Sequence, residues 1–340
     1  VHAWLRDRGI FISRQVDRTD LADYASTFLH DYFDHMFLSG HMSGGKKKEP
    51  FSSSRLGVEV GKNDILKACQ QLKTEREKNE NEAVKVTQVG STTVIQSTYT
   101  EVDFSRTELQ QRTTKTSIVE IDTSGSELVV RQHASDKGEF ISSHFKLKIG
   151  DILEADIDER RISLEAITNP EARSLFFERL INSLERFSLY DVRCVDVNFS
   201  DNSAGENDEE DSVGHINKAI LNGSGILNSK EFTQLHADGF YITKIIWECI
   251  DDLPEGDIYE LSAQFGSPKE CTNFNYLVRS VKTSKNGGGH VKNGKSPTLN
   301  DRKIMTNKLE AAAIKALDEI VGSYGCDEED DDVEYEEALV

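Results

Sequence analysis

The sequence predicts an α+β protein, and three observations predict it. Apolar residues recur at helical spacing near both ends of the chain. Stretches rich in β-branched residues, with a period of two, fill residues 84–131. Three strand-like segments follow one another after residue 240 with no helix between them. The expected organisation is a helical N-terminal segment (1–82, with a flexible loop at 39–54) on a β-rich α+β domain (83–200). An acidic linker (201–213), a meander domain with a closing helix (214–323) and a disordered acidic tail (324–340) complete it.

Each element has a local reason. Leu21, Ala25, Phe28, Tyr32 and Met36 share one face of a helix expected over 17–39, with Asp17 or Thr19 as cap. Gly, Ser, Pro and three lysines in SGHMSGGKKKEPFSSS break that pattern and predict a loop. A second helix is expected from Asn63 through Ile65, Cys69 and Leu72 into a charged end. Residues 94–102 read as a strand, and 117–131 as two strands around a Ser-Gly turn. A strand at 162–166, a helix started by Asn169-Pro170 and a strand at 191–199 form a strand–helix–strand unit. A short helix is expected at 215–221, and a capped one at 229–238. Strands at 240–250, 257–265 and 273–282 form the antiparallel meander. The closing helix, 301–321 with Asn300 as cap, buries Met305, Leu309, Ala313, Leu317 and Ile320.

The net charge of −20 is concentrated in two places. Residues 201–212 carry six acids and 327–340 carry nine, neither with a base. Such blocks repel themselves, stay solvated and suit a basic partner surface. The same balance makes the chain a poor general binder of phosphate backbones. Five cysteines without a C-x-x-C or close pair predict reduced thiols and a cytoplasmic location, not a disulfide framework or a zinc site. No signal peptide or membrane-length apolar run is present, and the chain begins with Val, as a fragment trimmed at its N-terminus would.

One motif invites a nucleotide. GHVKNGKS, from Gly289 through Gly294 and Lys295 to Ser296, fits the phosphate-loop pattern. That chemistry needs an apolar strand ending at the first glycine, a helix beginning at Lys-Ser, and a later carboxylate strand for magnesium. None is expected here, so no nucleotide and no cofactor is predicted. His30, Asp31, Asp34 and His35 form the best metal-like cluster, with each His one turn from an Asp, but the two pairs point in different directions. Hydrolase-elbow, zincin and deaminase patterns are absent. The order of elements at 215–282 resembles a winged helix in outline only. Its recognition helix would read SKEFTQLHAD, with one lysine against two acids.

The basic concentrations are Lys46–Lys48 and residues 282–303, with Lys285, Lys292 and Lys295 as the partner-binding candidates on the basic side and Asp330, Asp331 and Asp332 on the acidic side. The functional expectation is a non-catalytic interaction or accessory subunit of a cytoplasmic multi-protein assembly. A microbial defence or stress system is one such setting, for which no residue argues. Its expected partner is a protein, with non-specific nucleic-acid contact left to the basic loops. The competing expectation is a metal-dependent enzyme acting on nucleic acid or nucleotides, with a site assembled from distant residues.

Overall fold

The computed structural model describes residues 2–13, 15–29, 31, 48–78, 82–105, 111–125, 127–199, 217–285 and 288–324. The protein is α+β, with seven helices and eleven antiparallel strands among these residues. In chain order they are α1 (His2–Asp7), α2 (Arg18–Ser26), β1 (Phe51–Leu56), α3 (Lys62–Arg76), β2 (Glu82–Val89), β3 (Thr92–Val102), β4 (Arg112–Asp122) and β5 (Leu128–His133). Then come α4 (Asp136–Leu153), β6 (Glu159–Arg161), α5 (Pro170–Asn182), β7 (Phe187–Phe199), β8 (Lys218–Asn222), α6 (Lys230–Ala237), β9 (Phe240–Asp251), β10 (Ile258–Ser267), β11 (Thr272–Lys282) and α7 (Leu299–Tyr324). No described helix is long and apolar enough to cross a membrane.

All the strands form one sheet, ordered β2-β3-β4-β5-β1-β11-β10-β9-β7-β8, with β6 beside β1. The meander and the 117–131 hairpin stand as the alternation predicts. At the centre, however, lies β1, whose sequence FSSSRL falls largely in the segment expected to be a flexible loop. It pairs β5 from Phe51↔His133 to Leu56↔Leu128, and its other edge meets β11 at Phe51↔Tyr276 and β6 at Ser54–Leu56. Tertiary pairing overrides propensity here: a strand flanked on both sides gains its hydrogen bonds and packing from its neighbours.

Phe51 and Leu56 belong to different hydrophobic clusters. Five residues apart on one strand, they point to opposite faces of the sheet. The β2–β5 half is therefore covered on one face by α3 and α4, through Ile65, Leu72, Phe145 and Ile149 against Ile95, Val119 and Ile121. The β7–β11 half is covered on the opposite face by α5 and α7, through Phe176, Phe177, Leu309 and Leu317 against Trp247, Leu261 and Phe274. Each such fully buried side chain stabilises by roughly 1.5–3 kcal/mol. Trp4, Leu5, Leu21 and Ala25 of the first two helices make a separate small cluster.

Several local expectations change. Helix α4, absent from the sequence reading, holds two serines and two glycines that weaken its propensity, yet Ile141, Phe145 and Ile149 recur every fourth residue. A side chain at Gly138 would place its Cβ 2.1 Å from the His133 carbonyl oxygen, so only glycine lets α4 start this close to β5. The expected strand at 162–166 is irregular chain anchored by Ile162 and Leu164, and the short strand β6 precedes it. The expected helix at 215–221 is strand β8, whose residues alternate in exposure and pair with β7, which removes the winged-helix outline. The acidic run 201–212 thus joins two paired strands. Helix α2 runs only to Ser26 with Asp17 as its cap, and α3 begins after Gly61 with no side-chain cap. Helix α7 is capped by Thr298, not Asn300: Asp301 N–H donates to Thr298 Oγ1 at 3.2 Å, and Thr298 N–H donates back to the Asp301 carboxylate at 3.1 Å.

Candidate functional site

Because α7 covers mainly the β7–β11 half, its first two turns cross the face of the β2–β5 half that α3 and α4 leave uncovered. A cavity of about 220 Å3 lies beneath them. Phe51, Val94 and the highly exposed pair Val89 and Leu299 supply its apolar floor and lip. Arg302 and Lys303 of α7 stand at its rim, and Glu120 of β4 and Arg131 of β5, paired across the strands, stand in it. An apolar cavity with a few convergent charged groups is the usual form of a binding site.

Arg131 anchors the site. Its Nε and Nη2 donate to the two carboxylate oxygens of Glu310, both at 2.7 Å, and Nη1 donates to Asp122 at 3.2 Å. Nη2 also donates to Asn307 Oδ1 at 2.7 Å, and the Tyr276 hydroxyl donates to Glu310. The network ties α7 to β4, β5 and β11, hence one half of the sheet to the other. Burial opposes the guanidinium charge, but the two carboxylates outweigh it and hold Arg131 protonated above its ordinary range. Burial pushes the Asp122 carboxyl up, yet hydrogen bonds from Ser124 and Arg131 prevail and hold it below the usual range. Burial, then the Glu310 charge, pushes the Tyr276 phenol well above its ordinary value.

Glu120 differs, because burial pushes its carboxyl up and the nearby Arg131 only partly offsets this. No hydrogen bond to another described residue holds it, so it is the group in the cavity most ready to change protonation or partner. Lys48 lies close by. Burial, then the charges of Arg302 and Arg279, lowers its ammonium, and its Nζ donates to the Arg279 carbonyl at 2.9 Å. The structure thus brings together Lys48 and Arg302, one from each basic concentration in the sequence.

The phosphate-loop-like stretch folds otherwise than that chemistry requires. Lys295 and Val281 exchange backbone hydrogen bonds of 2.9 Å, and Lys285 N–H donates to the Gly289 carbonyl at 2.9 Å, so the loop continues β11 as a narrow hairpin. The backbone amide of Lys295 points at Val281 rather than outward. A Cβ on Gly294 would meet Ser280 Oγ at 2.5 Å, and Gly289 has φ +78°, so close approach and turn geometry explain both glycines. Pro297 separates Ser296 from α7. Lys285, Lys292, Lys295 and Ser296 are all exposed and lie outside the cavity lining.

Asp31 is exposed, whereas His30, Asp34 and His35 lie outside the described residues, as do Asp330, Asp331 and Asp332. Among the described residues no three His, Cys, Asp or Glu side chains converge as metal ligands. Burial pushes the thiols of Cys69 and Cys249 up to about 12, which keeps them neutral and poor nucleophiles. Sequence reasoning missed Glu120, Asp122, Arg131 and Glu310. One signal was present: the hairpin places Glu120 and Asp122 on one face with Arg131 opposite, and Glu310 interrupts an apolar stripe of α7.

No protein-family model matches the chain, and no curated protein is significantly similar to it.

Proposed function

We propose that the protein is a non-catalytic interaction subunit of a cytoplasmic multi-protein assembly, and that the crevice under the first turns of α7 seats an acidic, partly apolar segment of a protein partner. The observation that carries this reading is the pair of cations Arg302 and Lys303 over an apolar floor of Phe51 and Val94, with Lys48 near enough to Arg302 to feel its charge; none of the three forms an ion pair with another described residue. An acidic side chain satisfies the rim, while an apolar neighbour fills the floor and supplies most of the affinity. Lys285, Lys292 and Lys295 on the hairpin that precedes α7 are exposed and are further partner-binding candidates.

A synthetic peptide of glutamates interleaved with leucine and tyrosine, titrated against the full chain, tests this. Binding is expected to weaken as salt is raised and to be lost in the Arg302→Glu/Lys303→Glu variant, whose unfolding midpoint stays near that of the parent. Affinity that is indifferent to both salt and the double charge reversal would remove the crevice from consideration.

A further inference from the structure

Resting on that reading, we infer that the protein carries its own occupant for the crevice: residues 334–339 of the acidic tail dock there in cis and compete with an acidic partner segment. Three observations converge on this segment.

The first is reach. Helix α7 runs 26 residues from Leu299 to Tyr324. At about 1.5 Å of rise per residue, the return path from Tyr324 to Lys303 is about 32 Å. Extended chain covers about 3.3 Å per residue, so about ten residues close that distance and bring the stretch beginning near residue 334 to the rim.

The second is composition at that place. Glu334, Glu336 and Glu337 supply three acids for Arg302, Lys303 and Lys48, while Tyr335 and Leu339 are apolar side chains for the Phe51–Val94 floor. Residues 327–332, DEEDDD, lack any apolar residue that could fill the floor. Glu120, the opposing charge, lies beneath the rim and is paired across the strands with Arg131.

The third separates the tail from the other acidic run. Residues 201–212 hold acids but no apolar side chain larger than alanine. Their flanks are held together by the 3.0 Å hydrogen bond from Phe199 N–H, at the end of β7, to the carbonyl of Asn217, just before β8, at the far edge of the sheet from β3 and β4. That run therefore offers acids but no side chain for the apolar floor, and its flanks lie across the sheet from the crevice.

A flexibly tethered ligand has an effective concentration of about 1 mM. A tail with an intrinsic affinity of about 0.1 mM therefore weakens binding of the same sequence in trans about tenfold. The probe is a labelled peptide, EYEEALV, titrated against two full-length proteins: the parent, and the variant Glu334→Gln/Tyr335→Ser/Glu336→Gln/Glu337→Gln/Leu339→Ser. The variant is expected to bind the peptide about tenfold more tightly, and to lose that gain when Arg302→Ala and Lys303→Ala are added. Carbodiimide treatment of the parent should join Lys303 to Glu334, Glu336 or Glu337 within single chains, as read by mass spectrometry. Equal peptide affinity for parent and variant, with binding still dependent on Arg302 and Lys303, overturns the cis contact and leaves the crevice reading intact. No binding to either protein overturns both.

Discussion

Replacing Arg131 by leucine removes the only cation within ion-pair distance of Asp122 and Glu310 among the described residues, in a site where all three side chains are 6% exposed or less. The aliphatic side chain fills much of the space, so the loss is electrostatic: two carboxylates keep the cost of burial without a counter-charge. Breaking one partner out of such a buried network costs about 3–5 kcal/mol, a factor of roughly 150–5,000 in the folding equilibrium. The pH dependence identifies the cause. In the parent, Asp122 is held below its ordinary value, so its contribution is complete above the unfolded value of about 3.9 and is lost only as pH falls through the lower folded value. In the variant, the hydrogen bond and charge of Arg131 are gone while burial and the Ser124 hydrogen bonds remain, so the Asp122 carboxyl rises from its lowered value and contributes less stability at neutral pH. The gap between the two proteins therefore widens from about pH 3 to about pH 7.5, with most of the change near the unfolded value of about 3.9. Urea unfolding followed by the fluorescence of Trp247, which is fully buried, measures it. A loss below about 1 kcal/mol, or one equal at both pH values, refutes the reasoning. The triple change Arg131→Leu/Asp122→Leu/Glu310→Leu should recover most of the loss, because no buried charge remains.

Other outcomes can be measured with the same preparations. Glu120→Gln should raise the unfolding midpoint at neutral pH, since a carboxyl pushed up by burial destabilises the fold when ionised. The gain should vanish below the unfolded value of about 4.3, and thermal melts across pH that show no gain at neutrality count against the assignment. Gly294→Ala should destabilise by about 1–3 kcal/mol, read by melting and by faster proteolysis of the 283–295 hairpin, because its Cβ would meet Ser280; an unchanged midpoint contradicts this. Lys295→Ala/Ser296→Ala should leave ATP and GTP titrations unaltered, whereas a nucleotide affinity that disappears in this variant would restore the phosphate-loop reading.

The fold was legible where a period was uninterrupted. Strand β10 alternates cleanly, and α5 begins at Asn169-Pro170, which the Asn169 side chain caps. It was illegible where packing, not propensity, sets the conformation. Three serines in a row carry no strand signal, yet β1 is fixed by neighbours that arrive far along the chain. Two glycines and two serines hide α4, although the four-residue recurrence of Ile141, Phe145 and Ile149 was there to be counted. For the site, the cations were visible as composition, but their convergence was not. Lys48 and Arg302 meet only because β1 lies beside β11 and α7 folds back over both.

The order in which the strands are synthesised gives β6 a meaning its three residues do not suggest. Strand β1 pairs β5 early, but β11, which covers Phe51 on the other side, is the last strand made. At about 5–20 residues per second, the interval between β6 and β11 lasts on the order of ten seconds. Throughout it, a central strand with unpaired backbone groups would be a template for a neighbouring nascent chain. By pairing with Ser54–Leu56, β6 closes half of that edge as soon as the first half of the sheet is complete. Its three residues thus shorten the stretch of β1 left unpaired while the second half of the sheet is made.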